Sequence, residues 1–185
     1  MARYAAPILL LFISICAQAI EPEKLKPAIS RLVSLSQSAD IIEIINTHSK
    51  PQTIRYMLKM DQLWRTQEGI SDNVLDPAAQ KILQSFMAQN SNFFIEVILI
   101  GQYGETLGSI PKTSDYWQGD EAKFKQVMGY DEVFIDALRW DESTQTISAQ
   151  ISVPIYFNRD IIGVLTGAVE ASLKALGNAK FRSTP

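Results

Sequence analysis

The spacing of apolar residues changes once along this chain, near residue 90, and that change limits what it can fold into. Before it, Leu25, Ile29, Leu32, Leu35, Ala39, Ile42 and Ile45 recur every three or four residues, which predicts one amphipathic helix of about 25 residues. Pro27 suits its first turn and the stretch 46–51, ending in Pro51, closes it. A second helix is predicted from Gln52 to about Glu68, with Ile54, Met57, Leu58 and Trp64 inward and Gly69 as its C-cap. A third starts at Asp76-Pro77, an N-cap followed by proline at the first helical position, and runs to Gln89 with Ile82, Leu83, Phe86 and Met87 inward.

After residue 90 the residues read as strands. Phe93 to Ile100 is apolar, β-branched and aromatic, as a strand covered on both faces would be. Gly104 and Glu105 turn the chain into Thr106 to Ile110, and a short helix from Asp120 to Met128 sits within the loop 111–130. A strand follows at 132–140. Ile147, Ala149, Ile151, Val153 and Ile155 then alternate with Ser148, Gln150, Ser152, Pro154 and Tyr156, and a turn at Asn158-Arg159-Asp160 leads into a last strand, Ile161 to Val169. Two hairpins make the sheet antiparallel, with the long helix covering one face, so the class is α+β with five strands.

The ends read differently. Residues 1–19 carry Arg3, an apolar stretch from Ile8 to Ile15, and Ala17-Gln18-Ala19, the small-x-small pattern of a cleaved signal peptide. The expected organisation is therefore a leader at 1–19, one domain at 20–174 and a flexible tail at 175–185, exported to the periplasm. The only cysteine, Cys16, lies in the leader, so disulfides, thiolate metal sites and cysteine nucleophiles are excluded from the domain. One histidine, His48, cannot build a multi-histidine zinc site. The formal net charge is −3, and losing Arg3 makes it one unit more negative, which argues against nucleic acid as a partner.

Catalytic motifs are lacking. Ser109-Ile110-Pro111-Lys112 fits S-x-x-K in letters only, because Pro111 keeps Ser and Lys off one helical turn. No G-x-S-x-G, G-x-x-x-x-G-K or H-E-x-x-H occurs. Asp120 and Glu121 read as a helix N-cap with a dipole-favoured neighbour, and His48 as a helper at a helix C-terminus. No enzyme, metal or cofactor is expected.

Five segments in order carry a resemblance. Gly104-Glu105-Thr106-Leu107-Gly108, the loop Thr113 to Phe124, the acidic turn Trp140-Asp141-Glu142-Ser143-Thr144, Ile151-Ser152-Val153-Pro154-Ile155 and Ile161-Ile162-Gly163-Val164-Leu165 together resemble the Cache (PDC) extracytoplasmic sensor domains. The likeness covers about residues 90–171 and implies a PAS-like five-stranded antiparallel sheet with a long N-terminal helix and a helical cap. This chain departs from the family in lacking a glycine in the turn 157–160. It also lacks the full arginine and aromatic set of the amino-acid-binding members, so the ligand class stays open.

The resemblance implies that the loop 113–121 lines a pocket. Tyr116 and Trp117 then offer aromatic walls beside Asp115, and a carboxylate there or at Asp136 selects a cationic group, an amine or an amino acid. Asp141 joins the candidates through the acidic turn, Gln150 and Ser152 as the pocket floor, and Trp64 from the cap. Each has a plainer reading: Trp64 and Trp117 as core, Asp136 paired with Arg139, Gln150 and Ser152 facing solvent. The expected function is a periplasmic domain that binds a small molecule and reports occupancy, in trans, to a membrane receptor, kinase or cyclase, with a homodimer through the N-terminal helix as a candidate assembly. A non-sensing interaction or scaffold protein of the same fold is the alternative.

Overall fold

The computed structural model describes residues 22–141 and 146–170. Five helices come first: α1 (Pro22–Ser36), α2 (Ala39–Thr47), α3 (Ile54–Thr66), α4 (Ile70–Val74) and α5 (Pro77–Gln89). Then come β1 (Glu96–Gly101), β2 (Thr106–Ile110), α6 (Ala122–Tyr130), β3 (Phe134–Ile135), β4 (Arg139–Asp141), β5 (Thr146–Phe157) and β6 (Asp160–Glu170). The sheet is antiparallel in the order β2-β1-β6-β5, and β3 and β4 both pair with the outer side of β5. These two short strands fill one position, so the sheet is five strands wide, as the alternation and the Cache resemblance imply.

Four local expectations are corrected. The single long helix is two, because Ser38 leaves the helical conformation (φ −70°, ψ 141°) and its hydroxyl accepts from the Ile41 amide, while the Ser36 hydroxyl donates to the Val33 carbonyl. Serine side chains here compete with the helical backbone, and the inward face becomes Leu25, Ala28, Leu32, then Ile41, Ile44 and Ile45. In α3 the buried side is Met57, Met60, Asp61 and Trp64, so Ile54 and Leu58, both expected inside, are more than half exposed. The strand expected at 132–140 is interrupted at 136–138, and the one expected from Phe93 starts at Glu96. The α5 N-cap is as the sequence predicts: the Asp76 carboxylate accepts from the Ala79 amide at 2.8 Å.

Residues paired across strands share a face, so the register divides the sheet into two surfaces. On the first, Val97, Leu99, Ile151, Val153, Ile155 and Leu165 pack against Leu25, Leu32, Ile41, Ile45 and Leu83 of α1, α2 and α5. α1 comes close over Gly167, where a Cβ would lie 2.8 Å from Phe94 and 3.1 Å from Leu32. On the second, Ile98, Ile100 and Val164 meet Phe124 and Val127 of α6. A separate cluster of Met57, Met60, Trp64, Ile70, Leu75 and Tyr116 forms the α3–α4 cap.

Two boundaries of the sheet need special residues. The β5–β6 hairpin turns on Asn158 and Arg159, both left-handed at φ 51° and 75°, the mirrored turn that suits strand twist even though no glycine is present. At the β2 edge, backbone groups bond to neighbours outside the sheet: Thr106 N–H donates to the Tyr116 carbonyl (2.9 Å), Ser109 N–H donates to Gln80 Oε1 (2.8 Å), and the Leu107 carbonyl accepts from Asp76 N–H (2.9 Å).

Candidate functional site

The second sheet face changes character along its strands. Its apolar end is Ile100 and Val164 under α6. One row along, the register sets Ser109, Ile98, Thr166, Ser152 and Phe134 side by side across five strands, and the next row holds Glu96, Ala168 and Gln150. Asp136 continues that second row, its amide donating to the Gln150 carbonyl at 2.8 Å. Ser109, Ser152, Thr166, Ser148 and Glu96 are all buried. Buried hydroxyls demand partners, and the Ser152 and Thr166 hydroxyls find one another at 2.9 Å.

A loop is held beside this face from one side of α3. The Asp61 carboxylate accepts from the amides of Tyr116 (3.0 Å) and Trp117 (3.3 Å) and pairs with Arg65, which reaches on to Asp115 at 3.3 Å. Trp64 Nε1 donates to the Thr113 carbonyl (2.8 Å), and Lys112 lies over the Trp64 ring while donating to the Trp64 carbonyl. Positions 61, 64 and 65 share one helical face, so one turn of α3 positions the whole loop. The loop also joins the β1–β2 turn: Gln118 N–H donates to the Gly104 carbonyl (2.7 Å) and Trp117 Nε1 to the Tyr103 carbonyl (3.1 Å). Gly104, at φ 85°, is needed there, because a Cβ would lie 2.5 Å from the Gly119 backbone.

Burial sets the electrostatics. It pushes the Tyr116 hydroxyl up, helped by the charges of Tyr56 and Glu105, so this group stays neutral. It also raises the Glu105 carboxyl, against the opposing backbone hydrogen bonds that include one from Tyr103 N–H. Lys123, buried at the start of α6, pairs with Glu121 at 3.1 Å. Gln118 is wholly buried; its Nε2 donates to the Asp115 carbonyl, while its Oε1 has no partner among the described residues.

The sequence-predicted residues separate into two groups. Asp136, Gln150 and Ser152 share the second face, together with Thr166 and Ser109. Trp64, Tyr116 and Trp117 instead pack into the cap cluster, with the Trp64 and Tyr116 rings 5.9 Å apart, and Asp115 is tied to Arg65 and to the Ser114 hydroxyl. Asp141 pairs with Thr146 through β4, and its side chain lies outside the described residues, as does the rest of the acidic turn, 142–145.

Reading the sequence missed Asp61, Thr166, Gln118 and Lys123. The i,i+4 spacing of Asp61 and Arg65 was the one local sign of the loop's anchor. Lys112 turns to Trp64, and Ser109 Oγ accepts from Thr113 N–H, so the formal S-x-x-K residues make separate contacts. His48 caps α2 and bonds Asp76 at 3.0 Å. Among the described residues no group of three His, Cys, Asp or Glu side chains could hold a metal ion, and no helix is long and apolar enough to cross a membrane.

No family model and no curated protein matches the sequence. Among solved structures, the chain is similar to chemoreceptor sensory domains. The sensory domain of Campylobacter jejuni chemoreceptor Tlp3 is 16% identical, covers 80% of this chain and 58% of its own, and has a TM-score of 0.44. The ligand-binding domain of Pseudomonas aeruginosa amino-acid chemoreceptor PctC, solved with GABA, is 18% identical over 66% of this chain and 64% of its own, at 0.44. That of PctB from the same organism, solved with L-Arg, is 14% identical over 70% and 58%, at 0.43. The chain thus spans less than two thirds of each of these solved domains.

Proposed function

We propose that this chain is an exported small-molecule-binding sensor domain whose ligand lies on the polar half of the second sheet face, beside the loop 113–121. It reports occupancy to a membrane receptor, kinase or cyclase in trans. The observation that carries this reading is the buried row in which Ser109, Thr166 and Ser152 flank Ile98, on a face whose bordering loop holds a buried Gln118 oxygen with no partner among the described residues. An ordinary core at this depth would be apolar, whereas a ligand pocket uses a few oriented polar groups on an apolar floor. Lys123 on α6, which would exchange its Glu121 partner for the ligand, and Asp136, just past β3, border this face, so an amino acid, with one charge of each sign, is the ligand class we favour, and a simple amine comes next. On this reading residues 1–19 are removed, 20–174 act as one domain, 175–185 are a tail, and copies of the domain pair through α1.

The test is a thermal-shift screen of the full domain against amino acids, amines, carboxylates and purines. A ligand at about 100 times its Kd adds about 2.7 kcal/mol, or about 5 to 10 °C for a chain of this size. A shift from an amino acid that is lost in Asp136→Asn supports the reading, and no shift from any class overturns it. A second reading, a scaffold that has kept the fold without a ligand, draws on the Ser152–Thr166 contact, since these hydroxyls satisfy each other unaided.

A further inference from the structure

On the far side of the sheet from the proposed ligand site, α1, α2 and α5 leave an open trough. Its central part, about 800 Å³, has Leu35, Ile44, Ile82 and Phe86 as its floor. Two exposed carboxylates, Asp40 and Glu43, border this part against one ammonium, that of Lys81, while the third carboxylate, Asp76, is engaged by His48 and the Ala79 amide. Separate hollows adjoin it: one shares Leu35 and Phe86 and reaches Ser30 and Asn90, and another shares Glu43 and Thr47 and reaches Ile42 and the hairpin residue Phe157, which is 45% exposed. The parts of α1 and α2 from Ser30 to Thr47 together supply about 25 Å of helical rise, between four and five turns, so the border they form is longer than a compact metabolite needs.

We infer that this trough is a docking surface for a cationic amphipathic helix of a protein partner. An apolar floor bordered on one side by helices is the geometry into which a helix lays its apolar face at i, i+3, i+4 and i+7. The sign of the partner follows from the rim. Asp40 and Glu43 are exposed on α2 and lie one turn apart, so they present two neighbouring carboxylates to lysines or arginines on the incoming helix. The cation at the far end is engaged elsewhere: Arg31 donates to Asn90 and to the Pro27 carbonyl and stacks on Phe93, leaving the acidic centre dominant. Ser38, at the α1–α2 break, lines the adjoining hollow, so a docked helix that reaches past Leu35 would touch both helices at their joint. This inference rests on the sensor reading only in giving the reporting domain a face on which to meet its partner.

The probe is a synthetic amidated helix of about 16 residues, with leucine on one face and lysine on the other, followed by fluorescence anisotropy on the full domain. Binding that weakens about tenfold in Asp40→Lys/Glu43→Lys, and equally in Ile82→Asp, supports the trough. Asp72→Lys/Glu132→Lys makes the same change in net charge outside it and is expected to weaken binding less than about twofold. Circular-dichroism melts confirm that each variant is folded. Three outcomes overturn the inference: no binding, equal loss in both double-lysine variants, or binding that survives Asp40→Lys/Glu43→Lys. So does sedimentation showing a concentration-dependent dimer that this variant breaks, for the occupant is then a second copy. The thermal-shift screen does not involve the trough, so a lost peptide with a retained ligand shift removes this inference alone, and the reverse result removes the sensor reading alone.

Discussion

The two faces of the sheet are both covered but differently built. Under α1, α2 and α5 every inward position of the central strands is apolar and interlocked, down to the glycine at 167 that admits Phe94 and Leu32. Under α6 and the loop only part of the face is apolar, and hydroxyls, a carboxylate and an amide fill the rest. Apolar packing stabilises through area and shape and has no use for exchange. Buried polar groups add little net stability when satisfied, yet they can trade one partner for another, which a binding surface requires. One side of the sheet therefore holds the fold by packing alone, and the other, on the function proposed above, serves recognition.

Four substitutions can break or sharpen that contrast. Leu32→Ala, on the holding side, is expected to cost about 3 kcal/mol in denaturant unfolding, within the usual range for a buried leucine. A cost under about 1 kcal/mol would mean that α1 is only loosely packed. Asp61→Ala leaves two amides without their acceptor and should cost about 2 kcal/mol. Its signature is local: hydrogen exchange speeds at Tyr116 and Trp117 while the β1 and β6 amides keep their protection. Uniform acceleration would show that the loop belongs to the main cooperative unit.

On the exchangeable side, Ser152→Ala should cost about 1 kcal/mol by orphaning Thr166, and adding Thr166→Val should return much of it. A double variant worse than the single one would place this pair with the holding face. The smallest effect is expected at Glu105, whose folded-state carboxyl sits above its ordinary value of 4.5 because it is buried. A raised value means that the folded protein holds this proton more tightly than the unfolded chain, so stability falls as pH rises through the folded value and is regained below the ordinary one. Glu105→Gln should then raise the melting temperature slightly at pH 7, and the gain should vanish toward pH 4. A constant gain across that range would assign it to something other than charge.

The fold was legible wherever local chemistry decided it. Asp76-Pro77 marked the start of α5, and the alternation from Ile147 to Tyr156 marked the longest strand and its orientation. The α1–α2 joint was hidden because the apolar spacing runs through it without a skip, while the deciding event is a serine hydroxyl bonding to backbone. For the site, the alternation exposed Gln150 and Ser152 as residues of one face, but Thr166 and Ser109 join them only through cross-strand register. Asp61 was out of reach for the same reason: its amide partners lie 55 and 56 residues away. Tyr116 and Trp117 were correctly placed in a loop that lies beside the sheet, but a sequence cannot say that their rings turn toward α3.

The bonded outer side of β2 has a consequence for how this protein can associate. A border strand with free amides and carbonyls is a template on which another chain can extend the sheet. Here Thr106, Leu107 and Ser109 have their outward groups occupied by Tyr116, Asp76 and Gln80, so a foreign strand would first have to displace the start of α5 and the loop. Polymerisation by strand addition is thereby blocked at this edge of the sheet, and a macromolecule that meets the protein here has to engage the side chains of α5 and the loop instead.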